Sequence, residues 1–183
     1  MRSYKSCAGA TLIESMVVIL LAGLLASLAA PWLSGFVNSM RVRSTAQTLH
    51  ASLQLARSES AKRNTRVVVC KSSDGAQCAS GGAWEQGWLI FVDVNNNASV
   101  DPGEPVLRVE KWVASSLRAS GNGLLASYVS YTPWGVTQTT GGAYQIGTFT
   151  LCSQSNSSTE GRQIVIGSSG RVRTQKASLS SCA

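Results

Sequence analysis

One stretch near the N-terminus constrains the fold more than any other: from Ser15 to Met40 the sequence contains no charged residue. Its apolar part, Ser15–Val37, meets the requirement of about 20 apolar residues for crossing a bilayer. Arg2 and Lys5 precede it, which predicts a cytoplasmic N-terminus and an exported remainder. The small residues Ala8-Gly9-Ala10 come before the apolar run, so cleavage there leaves the hydrophobic helix on the mature protein. The sequence therefore predicts an exported chain that is anchored by its first helix.

Glu14 places a carboxylate at the start of this run, where charge is costly and marks a functional position. It is either an interfacial carboxylate among lipid headgroups or a charge kept for the N-terminal amine of a neighbouring subunit.

The segment Gly9-Ala10-Thr11-Leu12-Ile13-Glu14 resembles the type IV pilin processing signature, although that family usually has Phe or Met in place of Ala10. The resemblance implies cleavage after Gly9 by a prepilin peptidase, N-methylation of Ala10, and a role for Glu14 as the assembly carboxylate.

The helical pattern continues beyond the apolar run as an amphipathic stripe. Apolar residues recur at spacings of four and three, namely Val42, Ala46, Leu49, Leu53 and Ala56. No Gly or Pro interrupts the segment between Val37 and Lys62, so we predict one helix from about Thr11 to Arg63. We assign residues 1–9 to a leader, 10–37 to a transmembrane or filament-core helix, 38–63 to its amphipathic periplasmic half, and 64–183 to a globular head.

The head has a strand-like pattern, because from Arg66 onward the apolar period falls to two. The predicted strands are Arg66–Lys71, Gly87–Val92, Pro105–Val113, Tyr128–Tyr131, Tyr144–Cys152, Gln163–Ile166 and Arg171–Thr174. Several short strands of this kind favour an antiparallel sheet or sandwich packed on the helix stripe, and hence an α+β fold. We expect the tryptophans Trp84, Trp88, Trp112 and Trp134 to be core or half-buried strand residues.

Four of the five cysteines lie in the predicted exported part, since Cys7 belongs to the leader. These four are Cys70, Cys78, Cys152 and Cys182, and they show neither a Cys-x-x-Cys nor a Cys/His zinc spacing. An oxidising compartment favours two disulfides over free buried thiols, which are the alternative. Of the three possible pairings we favour Cys70–Cys78, which brackets a turn-like segment, and Cys152–Cys182, which tethers the C-terminus.

The segment Asp93–Glu104 has the oxygen spacing of a calcium loop. Side-chain oxygens fall at loop positions 1, 3, 5, 9 and 12, namely Asp93, Asn95, Asn97, Asp101 and Glu104. Position 6, however, is Ala98 instead of the usual Gly, and the flanks look like strands. The pattern predicts weak calcium binding at most, and the alternative is a polar hairpin loop whose Asx side chains cap its own backbone. No other cofactor is expected.

The C-terminal segment is rich in cationic residues, and the formal net charge of the whole chain is +7. Its cationic residues are Arg162, Arg171, Arg173 and Lys176. Two arginines that are two positions apart on a strand point to the same face, and each guanidinium can hold a phosphate with two hydrogen bonds. The pattern predicts phosphate-directed DNA binding that is independent of sequence and sensitive to salt. The alternative is a solvated cationic strand.

The head also resembles the GspH/FimT group of minor pilins and pseudopilins. The likeness lies in Trp84–Trp88, Phe91–Asp93, Gly161–Ile164 and Gly170–Arg173. In FimT-type pilins the Gly-Arg-x-Arg motif is associated with DNA capture during natural transformation, so the resemblance implies that role for Arg171 and Arg173, with Arg162 and Lys176 as helpers.

Together these features favour a minor type IV pilin at or near the pilus tip. It would lie in the inner membrane of a Gram-negative bacterium with its head in the periplasm, and then in the pilus. Its expected partners are other pilins, prepilin peptidase, the inner membrane and DNA. The alternatives are a minor pseudopilin of a type II secretion system and a DNA receptor with little part in assembly. With a lone histidine and no nucleophile elbow, phosphate loop or metal cluster in the sequence, we expect no enzyme activity.

Overall fold

The computed structural model of the chain describes residues 11–111, 116–154 and 160–182, with the side chains of residues 28–32 and 34 excepted. The predicted cleavage site, Gly9–Ala10, and Trp112 lie outside the described residues. The backbone divides into two units, Met1–Val37 and Asn38–Ala183.

A single helix, α1, runs over Leu12–Arg63, within one residue of its predicted bounds. Thr11 caps its N-terminus, because the Thr11 hydroxyl accepts a hydrogen bond from the backbone N–H of Glu14 at 3.3 Å. Asn64 directly follows the helix, and its φ of 51° lies in the left-handed region that terminates helices.

The part of α1 in the first unit exposes its large apolar side chains: Leu12, Ile13, Met16, Val17, Val18, Ile19, Leu20, Leu21, Leu24, Leu25, Leu33, Phe36 and Val37. Across the described residues, no helix combines the length and the hydropathy that crossing a bilayer requires. The predicted span Ser15–Val37 includes the six positions whose side chains are not described, and it stays a prediction.

In the second unit the predicted apolar stripe of α1 is buried, which confirms the amphipathic pattern. Val42 keeps 4% of its surface exposed, and Ala46, Leu49, Leu53 and Ala56 keep none. Both sheets of the head contribute to the core that covers this stripe, with Ile90 from one sheet and Phe149 from the other.

The head contains eight strands in its described part: β1 Arg66–Lys71, β2 Gly87–Asp93, β3 Val106–Lys111, β4 Leu117–Gly121, β5 Tyr128–Tyr131, β6 Gly147–Ser153, β7 Glu160–Ile166 and β8 Val172–Ser178. They form two four-stranded sheets with the orders β3-β2-β1-β5 and β4-β6-β7-β8, and every strand pairing is antiparallel. The α+β fold is therefore confirmed. The bounds predicted for β1 and β5 match those observed, whereas β4 was not predicted.

Two buried tryptophans connect the elements of the core. The indole N–H of Trp84 donates to the carbonyl of Leu125 at 3.0 Å, and that of Trp88 donates to the Ser52 hydroxyl on α1 at 2.9 Å. Between them, Glu85 accepts hydrogen bonds from the Arg118 guanidinium at 2.9 Å and from the Ala119 N–H on β4 at 3.3 Å. The motif Trp84–Trp88 thus joins β2 to α1 and to the second sheet, so its role is structural.

Trp134 departs from the prediction, because its side chain is 84% exposed. It lies in a tight turn between Thr132 and Gly135, closed by a hydrogen bond from the Gly135 N–H to the Thr132 carbonyl at 2.8 Å. Proline is favoured at the second position of such turns, and Pro133 occupies it here. The turn therefore holds the indole away from the core.

Tyr131 is fully buried, and its hydroxyl has no hydrogen-bond partner within the described part of the chain. Burial raises the pKa of this phenol above its ordinary value of 10.0, and the nearby charge of Arg57 offsets part of that rise. Because an unpaired buried hydroxyl costs about 1–3 kcal/mol, Tyr131→Phe should leave the free energy of unfolding unchanged or raise it by about 1 kcal/mol at neutral pH.

The same residue predicts an alkaline loss of stability. Above about pH 10 the unfolded phenol ionises while the folded phenol keeps its proton, so the wild type loses stability as the pH rises and Tyr131→Phe loses less. Urea unfolding at neutral and alkaline pH measures both effects. A loss of more than about 1 kcal/mol in Tyr131→Phe at neutral pH would show that the hydroxyl has a partner.

Candidate functional site

The four cationic residues of the C-terminal segment do not share one face of the second sheet. Arg162 on β7 lies opposite Lys176 on β8. Two positions away along the same strands, Ile164 lies opposite Thr174. Ile164 is buried in the core, and the Thr174 hydroxyl lies 3.0 Å from Nδ1 of His50 on α1. Since alternate residues of a strand share a face, Arg162 and Lys176 lie on the helix side of the sheet.

Arg173 lies on the opposite side of that sheet, because it alternates with Thr174 and pairs with Val165. Arg162 and Lys176 instead line a small pocket of about 140 Å³ together with Ser39 and Val42 of α1. The structure therefore separates the two predicted helpers from the predicted phosphate-binding pair.

Arg171 precedes β8 and follows the turn Gly167–Gly170. The Gly167 N–H donates to the Arg171 carbonyl at 3.0 Å, and the Gly170 N–H donates to the Gly167 carbonyl at 2.9 Å, so the backbone leading into Arg171 is fixed. Arg171 and Arg173 are exposed. The ion pairs among the described residues involve Glu59, Glu85 and Glu110, and none includes either arginine. Both guanidinium groups are thus placed to meet an anion from solution.

The turn that carries Trp134 packs against the turn that leads to Arg171. Gly170 has a φ of 71°, and a Cβ atom at that position would overlap the Gly135 carbonyl oxygen. Arg57 of α1 lies beside both turns: its guanidinium donates to the Ser169 carbonyl at 3.3 Å, and a Cβ atom added to Gly135 would lie 3.1 Å from its Nε. Sequence reasoning missed this arrangement of an exposed indole beside Arg57, although the Pro133-Trp134-Gly135 sequence was a turn signal.

The loop after β2 uses its side-chain oxygens to bind its own amides. The carboxylate of Asp93, only 1% exposed, accepts hydrogen bonds from the N–H groups of Asn97 and Ala98 at 3.1 and 3.0 Å. Glu104 accepts from the N–H groups of Val94 and Asp101 at 2.7 and 3.1 Å.

The remaining oxygens of the predicted calcium set have partners of the same kind. Asn95 Oδ1 accepts from the Asn97 N–H at 3.2 Å, and Asp101 accepts from the side-chain amides of Asn95 and Asn97 at 2.8 and 2.7 Å. Ala98, at the position where calcium loops have Gly, adopts a φ of 57°. No three His, Cys, Asp or Glu side chains in the described ranges lie close enough to hold a metal ion. The arrangement matches the self-capped loop that was the alternative.

This loop also covers the outer face of the first sheet. Ala98 and Val100 pack on a second apolar cluster formed by Val68, Cys70, Leu89 and Phe91. Because the Asp93 carboxylate holds the loop closed by accepting hydrogen bonds from two of its backbone N–H groups, we propose that the loop is structural and closes without calcium.

Asp93→Ala should lower the free energy of unfolding by about 1–3 kcal/mol, since it leaves the Ala98 N–H without its acceptor and the Asn97 N–H with only Asn95 Oδ1. Val94→Ala, at a position that is 72% exposed, is the control and should change stability by less than about 0.5 kcal/mol. Thermal unfolding with a chelator and with millimolar calcium measures the effect. If calcium stabilised the wild type but not Asp93→Ala, the loop would be a metal site.

The structure joins the cysteines in the two pairs that the sequence favours, Cys70–Cys78 and Cys152–Cys182. The first bond closes the segment that contains Asp74, whose carboxylate accepts hydrogen bonds from the N–H groups of Ala76 and Gln77. These bonds lower the pKa of Asp74 below its ordinary value. The second bond links the end of β6 to the segment after β8 and so fixes the edge of the sheet that carries Arg173.

Comparison with known proteins places these features in context. The profile of the family described as "Type II transport protein GspH" matches residues 45–170. Pilin-like protein PilA1 of Thermus thermophilus is 35% identical over 96 residues, which are 52% of this chain and 54% of PilA1. The chain therefore spans about half the length of this curated relative.

Two solved structures share the fold. The type IV minor pilin FimU of Pseudomonas aeruginosa is similar with a TM-score of 0.59 and 23% identity, over 81% of this chain and 99% of that one. The minor pseudopilin EpsH from the type 2 secretion system of Vibrio cholerae is similar with a TM-score of 0.51 and 11% identity, over 74% of this chain and 96% of that one.

Proposed function

The chain belongs to the GspH family of minor pilins and pseudopilins, and on that premise we propose that it is a minor type IV pilin. In this proposal it is a low-abundance, non-enzymatic subunit at or near the pilus tip, where it helps to initiate assembly. The observation that carries the proposal is the contrast within α1. Its stripe from Val42 to Ala56 is buried in the head, whereas the part before Asn38 exposes many large apolar side chains. Lipid or other subunits have to cover an apolar surface of that extent.

The proposed maturation begins with removal of residues 1–9 by a prepilin peptidase, which leaves N-methylated Ala10 as the first residue. Residues 10–37 then anchor the protein in the inner membrane and later pack in the filament core, while residues 38–183 form the periplasmic part. The Glu14 side chain is exposed in the first turn of α1 and forms none of the ion pairs found among the described residues. Its carboxylate is therefore suited to bind the N-terminal amine of a neighbouring subunit.

Deletion of the gene tests the proposal. We expect loss of surface pili and of twitching motility, restored by the wild-type gene but not by Glu14→Ala. Glu59→Ala, which removes only the ion pairs of Glu59 with Lys62 and Arg63 on the same helix, should restore both and serves as the control. Normal piliation in the deletion strain would contradict an assembly role, and lost transformation with intact pili would indicate a DNA receptor instead.

A second candidate is a minor pseudopilin of a type II secretion system. The matched family carries a type II transport description, and EpsH, which shares the fold, is a minor pseudopilin of such a system. This candidate predicts that the deletion strain keeps its pili and loses release of secreted proteins.

We further propose that the head binds DNA through Arg171 and Arg173. Exposed Arg171 directly precedes β8 and exposed Arg173 lies in it, at the edge of the second sheet, where a long polyanion can reach both. Such contacts are made with phosphates, so affinity should be independent of sequence and should fall steeply with salt.

Full-length protein in mild detergent should retard DNA of any sequence at low salt. Arg171→Gln with Arg173→Gln should weaken binding by more than about tenfold and lower the magnitude of the salt slope by about 2, because two phosphate contacts are lost. The matched control is Arg162→Gln with Lys176→Gln, which removes the same charge from the other side of the sheet. Equal losses in the two double variants would show that net charge, not this site, binds DNA.

A further inference from the structure

We propose that the head binds single-stranded DNA in preference to duplex, with an unpaired base stacked on the indole of Trp134. The proposal rests on the DNA-binding function above and names the form of nucleic acid that the same end of the head accepts. We call Arg57, Trp134 and Arg171 the Trp134 surface.

The indole of Trp134 is open to solvent on a backbone turn that is fixed. Its side chain is 84% exposed, whereas Trp84 and Trp88 are only 1% and 2% exposed. The turn that carries it is closed by two hydrogen bonds, Gly135 N–H to the Thr132 carbonyl at 2.8 Å and Thr132 N–H to the Val136 carbonyl at 2.9 Å. Pro133 fixes the backbone before it. A large apolar ring held out on a rigid turn loses little conformational entropy when it stacks on a partner.

Arg57 lines the same pocket as this ring, and Arg171 follows a turn that packs against the Trp134 turn. The close contact between Gly135 and Gly170 brings the Trp134 turn against the backbone that leads directly into Arg171. Arg57 lies between the two turns, where its guanidinium donates to the Ser169 carbonyl at 3.3 Å and keeps further N–H groups for other acceptors. An aromatic ring near arginines can stack on a base while the guanidinium groups hold neighbouring phosphates.

A shallow pocket beside the ring supplies polar groups for the edge of a base. It has a volume of about 350 Å³, and Pro133, Trp134 and Gly135 form one side of it. The other side belongs to α1 and consists of Gln54, Arg57, Ser58 and Ala61. The amide of Gln54 can donate and accept hydrogen bonds, and the Ser58 hydroxyl, which donates to the Leu55 carbonyl at 2.9 Å, can still accept, so the two can meet the edge of any base without fixing its identity.

The preference for single-stranded DNA follows from the chemistry of the indole ring. In a duplex the base faces are already stacked, so an indole on the protein surface can reach sugars, phosphates and base edges but no free base face. In a single strand every base offers a free face, and stacking on an aromatic side chain tolerates any sequence. A duplex therefore uses the arginines alone, whereas a single strand uses the arginines and Trp134.

Binding of an oligothymidylate and of a duplex of equal length to the full-length protein in mild detergent tests the proposal. We expect Trp134→Ala to weaken binding of the single strand by about 5- to 150-fold, which is the range for losing one stacked base, and to change duplex binding by less than about twofold. Trp134→Phe should recover part of the affinity. Tyr144→Ala, which removes another exposed aromatic ring, is the matched control and should leave both affinities unchanged.

The outcomes separate this inference from the function on which it rests. If duplex binding depends on Arg171 and Arg173 but Trp134→Ala leaves single-strand binding within about twofold of wild type, stacking is refuted and the DNA function stands. If the wild type binds neither form, the DNA function fails and the inference fails with it. If Trp134→Ala keeps full DNA affinity but is lost from sheared pili, Trp134 is a contact between subunits and the inference is overturned.

Discussion

Replacing Trp84 with alanine is expected to lower the free energy of unfolding of the head by about 3–5 kcal/mol. The side chain is 1% exposed and packs edge-on against Phe149, with ring centroids 4.9 Å apart and an interplanar angle of 84°. Its removal opens a cavity between the sheets and leaves the Leu125 carbonyl without its indole donor at 3.0 Å. Since whole domains are stable by about 5–15 kcal/mol, this loss is a large share of the total.

Trp134→Ala is the matched control for that experiment, because it makes the same chemical change at a side chain that is 84% exposed. It should change stability by less than about 0.5 kcal/mol. Urea unfolding followed by near-ultraviolet circular dichroism measures both variants. Equal losses in the two variants would mean that Trp84 does not lie in the core described above.

The second large effect is expected from the bond that closes the C-terminal part of the head. Replacing Cys152 and Cys182 together with alanine removes a crosslink across a sequence separation of 30. The chain-entropy estimate for a loop of that size is about 3–4 kcal/mol, against about 2–3 kcal/mol for the separation of 8 between Cys70 and Cys78. The bond also fixes the end of the edge strand β8, so we expect weaker DNA binding at elevated temperature.

Unfolding of the Cys152/Cys182 double variant, compared with wild type in the presence and absence of a reducing agent, measures this contribution. Wild type should lose stability on reduction, and the double variant should lose only the smaller contribution of the remaining bond. If the free energy of unfolding of the double variant lay within about 1 kcal/mol of the wild-type value, the bond would not stabilise the head as proposed.

Much of the fold was predictable because its signals are local in sequence. The stripe from Val42 to Ala56 specifies one helix face, and the alternation in Arg66–Lys71 specifies a strand, so both were assigned with the observed bounds or close to them. The strand Leu117–Gly121 has only Leu117 and Ala119 on its buried face and no β-branched residue, so its alternation was too weak to distinguish it from a loop.

The site was predictable only in part, because it depends on which side of the sheet each cationic side chain lies. Lys176 lies three positions after Arg173, so their opposite faces could have been read from the sequence. The face of Arg162 depends on its pairing with Lys176, which is a long-range register that composition does not specify. Trp134 was misassigned because core and surface tryptophans look alike in composition, and only its Pro and Gly neighbours indicate the turn.

The central claim is that the apolar N-terminal part of α1 stays on the mature protein and joins it to a filament. Intact-mass and N-terminal peptide analysis of the protein recovered from sheared surface pili tests this claim most directly. We predict a chain that begins at Ala10 with one added methyl group and retains every residue through Met40. A chain that starts after Met40, or one found free in the periplasm and missing from pili, would contradict the account.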